Sequence, residues 1–229
     1  MDIYYEVKGQ GYPLVCVHGN GEDHHIFDEL SCQLTDYQLI LIDSRYHGQS
    51  KKEGEFSYQQ MCQDVKSVID ELKLDEYDYL GFSDGAIVGL MLAMSDERMK
   101  HMICIGPNTS PQMLKPIYHF TFIVQNLLLL PFCLYDKKAR LQRKYLSLML
   151  KEPHINYADL QNIHIPVLVL SGEYDMIKQE DIKHIGESLP YGISKVIKQG
   201  NHFLLRDSFQ QTYKEMSLFL NACHQEERV

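Results

Sequence analysis

A serine flanked by glycines forms the most distinctive chemical motif of the chain, Gly81-Phe-Ser83-Asp-Gly85. The motif follows an apolar run that ends at Leu80 and precedes a helix-like run that starts at Ala86, so it fits a strand–turn–helix unit. At such a sharp turn the serine backbone is strained and its hydroxyl projects. The residues two positions away must then be tiny, or strand and helix would collide. We therefore predict that Ser83 is a nucleophile beside the positive end of a helix dipole.

A serine hydroxyl is a poor nucleophile at neutral pH. It needs a base in contact, and the base needs an acceptor that fixes its tautomer. Two polar segments follow apolar runs late in the chain: the first contains Glu173 and Asp175, and the second contains His202. Both segments fall at the carboxyl ends of predicted strands, the edge where such sheets bind ligands.

Short apolar runs alternate with longer amphipathic segments along most of the chain. The runs are mostly continuous, as in parallel strands covered on both faces, and they lie at 14–17, 39–42, 77–80, 102–105, 167–170 and 196–197. A first strand over 3–7 is predicted to be an edge or antiparallel strand. The alternation predicts an α/β fold with a doubly wound, mostly parallel sheet flanked by helices.

The alternation stops between about Pro107 and Tyr157, where helical stretches follow one another with no strand between them. We interpret this segment as a small helical cap at the carboxyl edge of the sheet. The predicted domains are a core of residues 1–106 and 158–229 and a cap of residues 107–157. The cap is rich in apolar residues, and we expect Phe122, Leu127 and Leu128 to bind the substrate.

The apolar stretch from Phe120 to Tyr135 raises the question of a membrane. Gln125, Asn126 and Pro131 interrupt it, and it is shorter than the ~20 apolar residues that a spanning helix needs. We expect a buried or pocket-lining helix here and no membrane span.

Composition excludes several classes of protein. The 229 residues are 45% hydrophobic and 23% charged, which suits one globular core. A formal net charge of −9 disfavours binding to a phosphate backbone, so we expect no nucleic-acid partner. None of the six cysteines forms a C-x-x-C pair, and the N-terminus lacks the apolar stretch of a secretory signal. We expect a cytoplasmic monomer or homodimer.

Two further motifs follow the second and third predicted strands. They are His18-Gly-Asn20-Gly and Asp43-Ser-Arg-Tyr-His-Gly48-Gln-Ser. Together with the turn at Ser83, they resemble the α/β-hydrolase superfamily over essentially the whole chain. In that family the second motif is structural, and Tyr46 stands here where a glycine is usual.

The resemblance implies a serine hydrolase. Ser83 is then the nucleophile, Asp175 the acid and His202 the base, in the family's chain order. Glu173 matches the acid position less well. The resemblance also implies that the backbone N–H groups of Asn20 and Asp84 bind the oxyanion of an acyl-transfer intermediate.

We expect a carboxylesterase-like enzyme that cleaves small or medium acyl esters through an acyl-enzyme, with an apolar small molecule as substrate and no cofactor. A thioesterase, a lactonase or a carbon–carbon bond hydrolase would use the same triad, and a non-catalytic ligand-binding member of the fold would also retain it. His18, His24, His25 and His47 fall on loops without a matching carboxylate pattern, so we predict no metal site.

Overall fold

The computed structural model describes residues 3–51 and 53–226. Its strands are β1 Tyr5–Lys8, β2 Tyr12–Val17, β3 Tyr37–Ile42, β4 Tyr77–Phe82, β5 Met99–Ile105, β6 Val167–Gly172 and β7 Gly192–Ile197. They form one sheet in the order β1-β3-β2-β4-β5-β6-β7, and β1 lies at an edge, antiparallel to β3. The other pairs are parallel. The predicted α/β fold with its mostly parallel sheet is confirmed.

The helices are α1 Asp28–Ser31, α2 Tyr58–Glu71, α3 Asp84–Ala93, α4 Pro116–Leu129, α5 Lys137–Lys151, α6 Tyr157–Leu160, α7 Gln179–Ser188, α8 Leu204–Asp207 and α9 Phe209–Glu226. Single 3₁₀ turns occur at His24–Phe27, Pro111–Met113 and Leu130–Leu134. Ser57 is the N-cap of helix α2, and its hydroxyl accepts a bond from the N–H of Gln60 at 3.3 Å.

Apolar side chains cover both faces of the sheet, because successive residues of a strand point to opposite sides. In β2, Val15 and Val17 join the cluster that packs against α2, α3 and α7, whereas Leu14 and Cys16 join the cluster that packs against α1 and α9. All four side chains are fully buried. The carboxyl ends of the central strands are thereby held rigidly, and the loops that follow them start from fixed positions.

Between β5 and β6 the chain forms α4, α5 and α6 and adds no strand to the sheet. The expectation of a buried or pocket-lining helix near residues 120–135 is wrong. No residue of α4 is buried, and much of its apolar surface faces solvent. The sequence pattern could not reveal this, since an apolar helix gives the same signal whether or not another element covers it. The exact division into core and cap stays a prediction.

The close packing of α3 on β2 leads to a prediction for Gly85. A Cβ at Gly85 would lie 2.0 Å from the carbonyl oxygen of Val17. Gly85→Ala should therefore lower the free energy of unfolding by about 3 kcal/mol or more, as overpacking against backbone does. Urea unfolding followed by circular dichroism measures the loss.

Gly21→Ala is the matched control. Gly21 has φ +77° and nothing within 4 Å of an added Cβ, so it should lose only the roughly 1–2 kcal/mol of a left-handed backbone. Equal losses in the two variants would contradict the packing argument.

Candidate active site

Ser83 occupies the turn between β4 and α3 in a backbone conformation that an L-residue rarely adopts, with φ 51° and ψ −112°. Its N–H donates to the carbonyl of Ile105 at 2.7 Å, which ties the turn to the neighbouring strand β5. Only glycine fits at position 81, because a Cβ added there would lie 2.3 Å from the carbonyl oxygen of Gly85. The strain is therefore held in place by close backbone packing on both sides of the serine.

Ser83, His202 and Asp175 form one hydrogen-bonded chain. The Ser83 hydroxyl lies 3.0 Å from His202 Nε2, and His202 Nδ1 lies 2.8 Å from Asp175 Oδ1. A carboxylate only accepts, so Nδ1 carries the proton and Nε2 is free to accept the proton of the hydroxyl. The structure thus brings together the three residues that the sequence proposes as a triad, in a geometry suited to nucleophilic catalysis.

Asp175 is fully buried, yet its surroundings favour the ionised form. The backbone N–H groups of Ile177 and Gly172 donate to its two oxygens at 3.0 and 3.4 Å. Burial alone would raise the pKa of Asp175, but the charge and hydrogen bond of His202 and these two N–H groups together hold the pKa below its ordinary value. The side chain can therefore orient the imidazole and balance its positive charge.

The loop that carries His202 is shaped by residues without a direct chemical role. A Cβ at Gly106, which has φ +61°, would lie 2.8 Å from the His202 ring. Glu173, the competing carboxylate, accepts a bond from the N–H of Gln199 at 2.9 Å and is exposed. Glu173 thus holds the histidine loop, while Asp175 bonds the histidine itself.

The predicted oxyanion loop passes beside Ser83. A Cβ at Gly19 would lie 3.1 Å from the Cβ of Ser83, and Asn20 is the next residue along the chain. The N–H of Asp84 belongs to the first turn of α3, whose N–H groups lack partners within the helix. Asp84 directly follows Ser83, and Asn20 directly follows Gly19, which approaches Ser83; the oxyanion role of both N–H groups stays a prediction.

Two histidines hold this loop through hydrogen bonds to its backbone. His18 Nε2 accepts from the N–H of Ser44 at 3.0 Å while its Nδ1–H donates to the Gly19 carbonyl at 2.7 Å. Burial lowers the pKa of His18, which keeps the ring neutral in this double role. His47 Nε2 accepts from the N–H of Gly21 at 3.0 Å, so it also fixes the turn.

A small cavity of about 20 Å³ adjoins the serine and the histidine. One wall is polar and is formed by Tyr58, Asp84, Asn108 and Glu152. The other is apolar and is formed by Leu114, Met149, Met176 and Ile177. Sequence reasoning missed this polar wall, because its members come from distant segments and none belongs to a motif for side-chain recognition.

Two carboxyl groups beside the triad are buried without full compensation. Asp84 Oδ1 accepts from the Tyr58 hydroxyl at 2.8 Å, whereas Asp84 Oδ2 and Glu22 Oε2 have no hydrogen-bond partner among the described residues. Burial raises the pKa of Asp84 to about 6, although the side chains of Tyr58 and Asn20 and the charge of His202 oppose the shift. Burial raises the pKa of Glu22 to about 7, and the charge of His202 partly opposes that shift. Asp84 lines the cavity beside Ser83, and a carboxyl with a perturbed pKa in such a cavity is typical of functional sites.

The three cap residues proposed from the sequence do not meet at this cavity. Leu127 and Leu128 are 63% and 65% exposed, and Phe122 packs partly buried against the core. The cap segment contributes Leu114, Met149 and Glu152 to the cavity instead. The exposed face of α4 is therefore not a lining of the Ser83 cavity.

Two groups of potential metal ligands occur within the described residues. Asp23, His24 and His25 form one, and Asp78, His101 and His224 form the other. In the second, His101 and His224 each bond an oxygen of Asp78 at 2.7 Å, near the amino end of β4 and away from the triad. Neither group includes a residue of the triad.

The buried carboxyl of Asp84 predicts a pH-dependent stability. Its pKa in the folded chain, about 6, exceeds the ordinary 3.8, so the folded state binds the extra proton. The free energy of unfolding should fall as pH rises from about 4 to about 6 and then level off. Asp84→Asn removes this contribution and keeps an acceptor for Tyr58, so the variant should gain on the order of 2–3 kcal/mol near neutral pH.

Thermal unfolding of the wild type and of Asp84→Asn across this pH range measures the difference in stability between them. Because other titrating groups are the same in both proteins, this difference reports on Asp84 alone. Asp36→Asn, at an exposed carboxylate, is the control and should leave the curve unchanged. An Asp84→Asn variant that is less stable at every pH would contradict the prediction.

Comparison with known proteins identifies the family to which the chain belongs. The family model described as alpha/beta hydrolase fold matches residues 12–131, more than half of the chain. The AB hydrolase superfamily protein YisY of Bacillus subtilis is 32% identical over 91 residues, which are 38% of this chain and 34% of that protein. The pimeloyl-[acyl-carrier protein] methyl ester esterase of Legionella pneumophila is 30% identical over 119 residues, 51% of this chain and 46% of the esterase.

The chain thus spans less than half the length of these curated relatives. Among solved structures, the alpha/beta hydrolase MGS-M2 from a Medee basin deep-sea metagenome library superposes with a TM-score of 0.80 at 19% identity, covering 96% of this chain and 94% of that one. At this identity the likeness establishes the fold alone. With the sheet order and the turn at Ser83, the family match leads to one conclusion: the chain is a member of the α/β-hydrolase family.

Proposed function

We propose that this protein is a serine hydrolase that cleaves carboxylic esters of small or medium acyl groups. The observation that carries the proposal is the continuous chain from Ser83 Oγ to His202 Nε2 and from His202 Nδ1 to Asp175. The methyl ester esterase of Legionella pneumophila, similar over half of this chain, adds support for an ester bond as the target.

In the proposed reaction Ser83 Oγ attacks the ester carbonyl while its proton moves to His202 Nε2. The carbonyl oxygen becomes an oxyanion, which the N–H groups of Asn20 and Asp84 stabilise. The intermediate collapses, the C–O bond to the alcohol breaks, and His202 returns its proton to the leaving alkoxide. A water molecule, deprotonated by the same nitrogen, then hydrolyses the acyl-enzyme and releases the carboxylic acid.

The cavity beside Ser83 favours a compact substrate without negative charge. Its volume is about 20 Å³, so an acyl group must displace flexible side chains such as Met149 and Met176 to enter. The carboxyls of Asp84 and Glu152 line it, and none of the described lining residues is a Lys or Arg. An acyl group that carries a carboxylate would therefore be repelled, whereas a neutral acyl group would not.

The first test concerns the nucleophile. Ser83→Ala should lower kcat/KM on p-nitrophenyl acetate by roughly 10⁴-fold or more, since the hydroxyl forms the covalent intermediate. A fluorophosphonate probe should label the wild type at Ser83 and leave the variant unlabelled. The thermal midpoint should stay close to that of the wild type, because only the hydroxyl is removed.

Ser95→Ala, at an exposed serine just beyond the other end of α3, is the control and should keep activity and labelling. Absence of turnover on esters, thioesters and lactones by the wild type would reject the proposal in favour of a ligand-binding member of the fold.

The second test distinguishes two carboxylates. Asp175→Asn should lower kcat by up to about 10⁴-fold, because the amide favours the wrong tautomer of His202 and cannot balance its charge. Glu173→Gln is the matched control and should keep most of the activity, because Glu173 bonds the backbone of Gln199 instead. Steady-state kinetics on one ester measure both. The reverse outcome would make Glu173 the acid.

A further inference from the structure

The outer surface of the cap exposes an unusual concentration of apolar side chains. Ten of the sixteen exposed large hydrophobic residues of the described chain lie between Ile117 and Tyr135. The most exposed members are Phe120, Leu127, Leu128, Phe132, Leu134 and Tyr135. We call this surface, formed by α4 and the following 3₁₀ turn, the apolar cap face. Soluble domains rarely leave a contiguous patch of this kind uncovered unless it binds something.

The length and hydropathy of the segment suit a lipid environment. Pro116–Leu134 is a 19-residue helical segment with a mean hydropathy of 1.6, and none of that stretch is buried within the protein. Tyr118 and Tyr135 lie near its two ends, and tyrosine is enriched at the level of lipid headgroups. The segment therefore has the composition of a membrane-contacting helix.

The connections of the segment favour a helix that lies along a membrane rather than across it. Helix α5 follows the 3₁₀ turn Leu130–Leu134 and packs back along α4. It is also fastened to the core: the Tyr145 hydroxyl donates to the Tyr46 carbonyl at 2.6 Å, and the Tyr145 ring stacks on His47 at 4.3 Å. A spanning α4 would carry α5 to the opposite side and break these contacts.

A basic groove lies at the start of α5, directly after the apolar cap face. It has a volume of about 420 Å³ and is lined by Tyr46, Lys137, Lys138, Arg140, Leu141 and Lys144. Between Lys115 and Lys144 the sequence has six Lys or Arg and one acidic residue, in a chain whose formal net charge is −9. The positive charge is thus concentrated beside the apolar surface, against the charge of the whole molecule.

The charges of this groove remain available to a ligand. Lys137, Lys138 and Arg140 are exposed, and none of them forms an ion pair within the described residues. Asp136, the one acidic residue nearby, accepts a bond from the N–H of Lys138 at the start of α5. Lys144 Nζ lies 4.1 Å above the Tyr46 ring, which holds one cation at the groove wall.

We propose that the apolar cap face and the adjoining basic groove form a docking surface for an anionic membrane. Helix α4 lies in the interfacial plane with its apolar side chains in the acyl boundary, and the groove receives the phosphate headgroups of anionic lipids. Burial of apolar side chains and attraction to anionic lipids together drive such binding.

A second copy of this chain suits the surface less well. In a symmetric dimer the same patch meets itself. Between Lys115 and Lys144 that patch holds six Lys or Arg and only the carboxylate of Asp136, so neither basic groove would meet a complementary negative charge. Because the rest of the chain carries the negative charge, the basic groove of one copy could instead contact another face of a second copy. Such a contact would leave the apolar cap face uncovered. An anionic lipid surface can cover the apolar cap face and bind the basic groove at the same time.

Cosedimentation of the full chain with vesicles tests the proposal. The wild type should bind vesicles of an equimolar mixture of phosphatidylcholine and phosphatidylglycerol, and bind vesicles of phosphatidylcholine alone more weakly. Added salt should weaken the binding to the mixed vesicles, because it screens the attraction of the groove for anionic headgroups.

Two variants separate the contributions of the surface. The combination Leu127→Ser, Leu128→Ser and Phe132→Ser should lower affinity for the mixed vesicles at least about tenfold, since each is an apolar side chain that leaves water on docking. The combination Lys137→Gln, Lys138→Gln and Arg140→Gln should lower it about fivefold for each charge removed, and abolish the preference for anionic vesicles.

A control variant carries Leu218→Ser and Lys183→Gln, at exposed positions on α9 and α7, and should bind like the wild type. All of the substituted side chains are exposed, so circular dichroism should report the same fold. Retention of the wild type in the supernatant, or equal binding by the serine variant and the control, would overturn the proposal. So would light scattering that finds a dimer without vesicles and a monomer for the serine variant, since a second copy would then occupy the surface.

Discussion

The close approach of three backbone segments around Ser83 is the constraint on which the site depends. Gly85 lies against the carbonyl of Val17 at the end of β2, Gly81 lies against Gly85, and the N–H of Ser83 bonds the last residue of β5. Any side chain at either glycine would separate α3 from the sheet. Because the carboxyl ends of the neighbouring strands are fixed by this packing, the loops that bring Asp175 and His202 start from defined positions and can meet the serine.

Electrostatics at the site follow from burial under this packed turn. Asp175 receives enough hydrogen bonds and enough attraction from His202 to stay ionised in a position that water does not reach. Asp84 and Glu22 receive too little compensation for their burial, and the pKa of each is raised. A carboxyl that destabilises the folded chain beside Ser83 is a local conflict of the kind that proteins tolerate where function requires it.

The cap segment has two different sides. Some of its residues, such as Met149, line the cavity beside Ser83, whereas the outer side of α4 leaves apolar groups in water. The same segment therefore contributes both to the lining of the cavity and to the exposed apolar surface. Since α5 is bonded to the core through Tyr145, the position of the outer side is fixed with respect to the site.

The sequence alone determined the features that depend on local spacing. Glycines two residues either side of Ser83 predicted the turn, continuous apolar runs predicted the strands, and the order of Ser83, Asp175 and His202 followed from the resemblance to a family. These signals are local because each reflects the conformation of a few adjacent residues.

Only the tertiary structure decided which side chains lie beside the triad and whether another element covers α4. Tyr58 and Asp84 are 26 residues apart and yet share a hydrogen bond, and Leu127 and Leu128 have the same sequence pattern whether they face a pocket or solvent. Contacts between distant segments set burial, and burial in turn sets the pKa values and the chemistry that a side chain can perform.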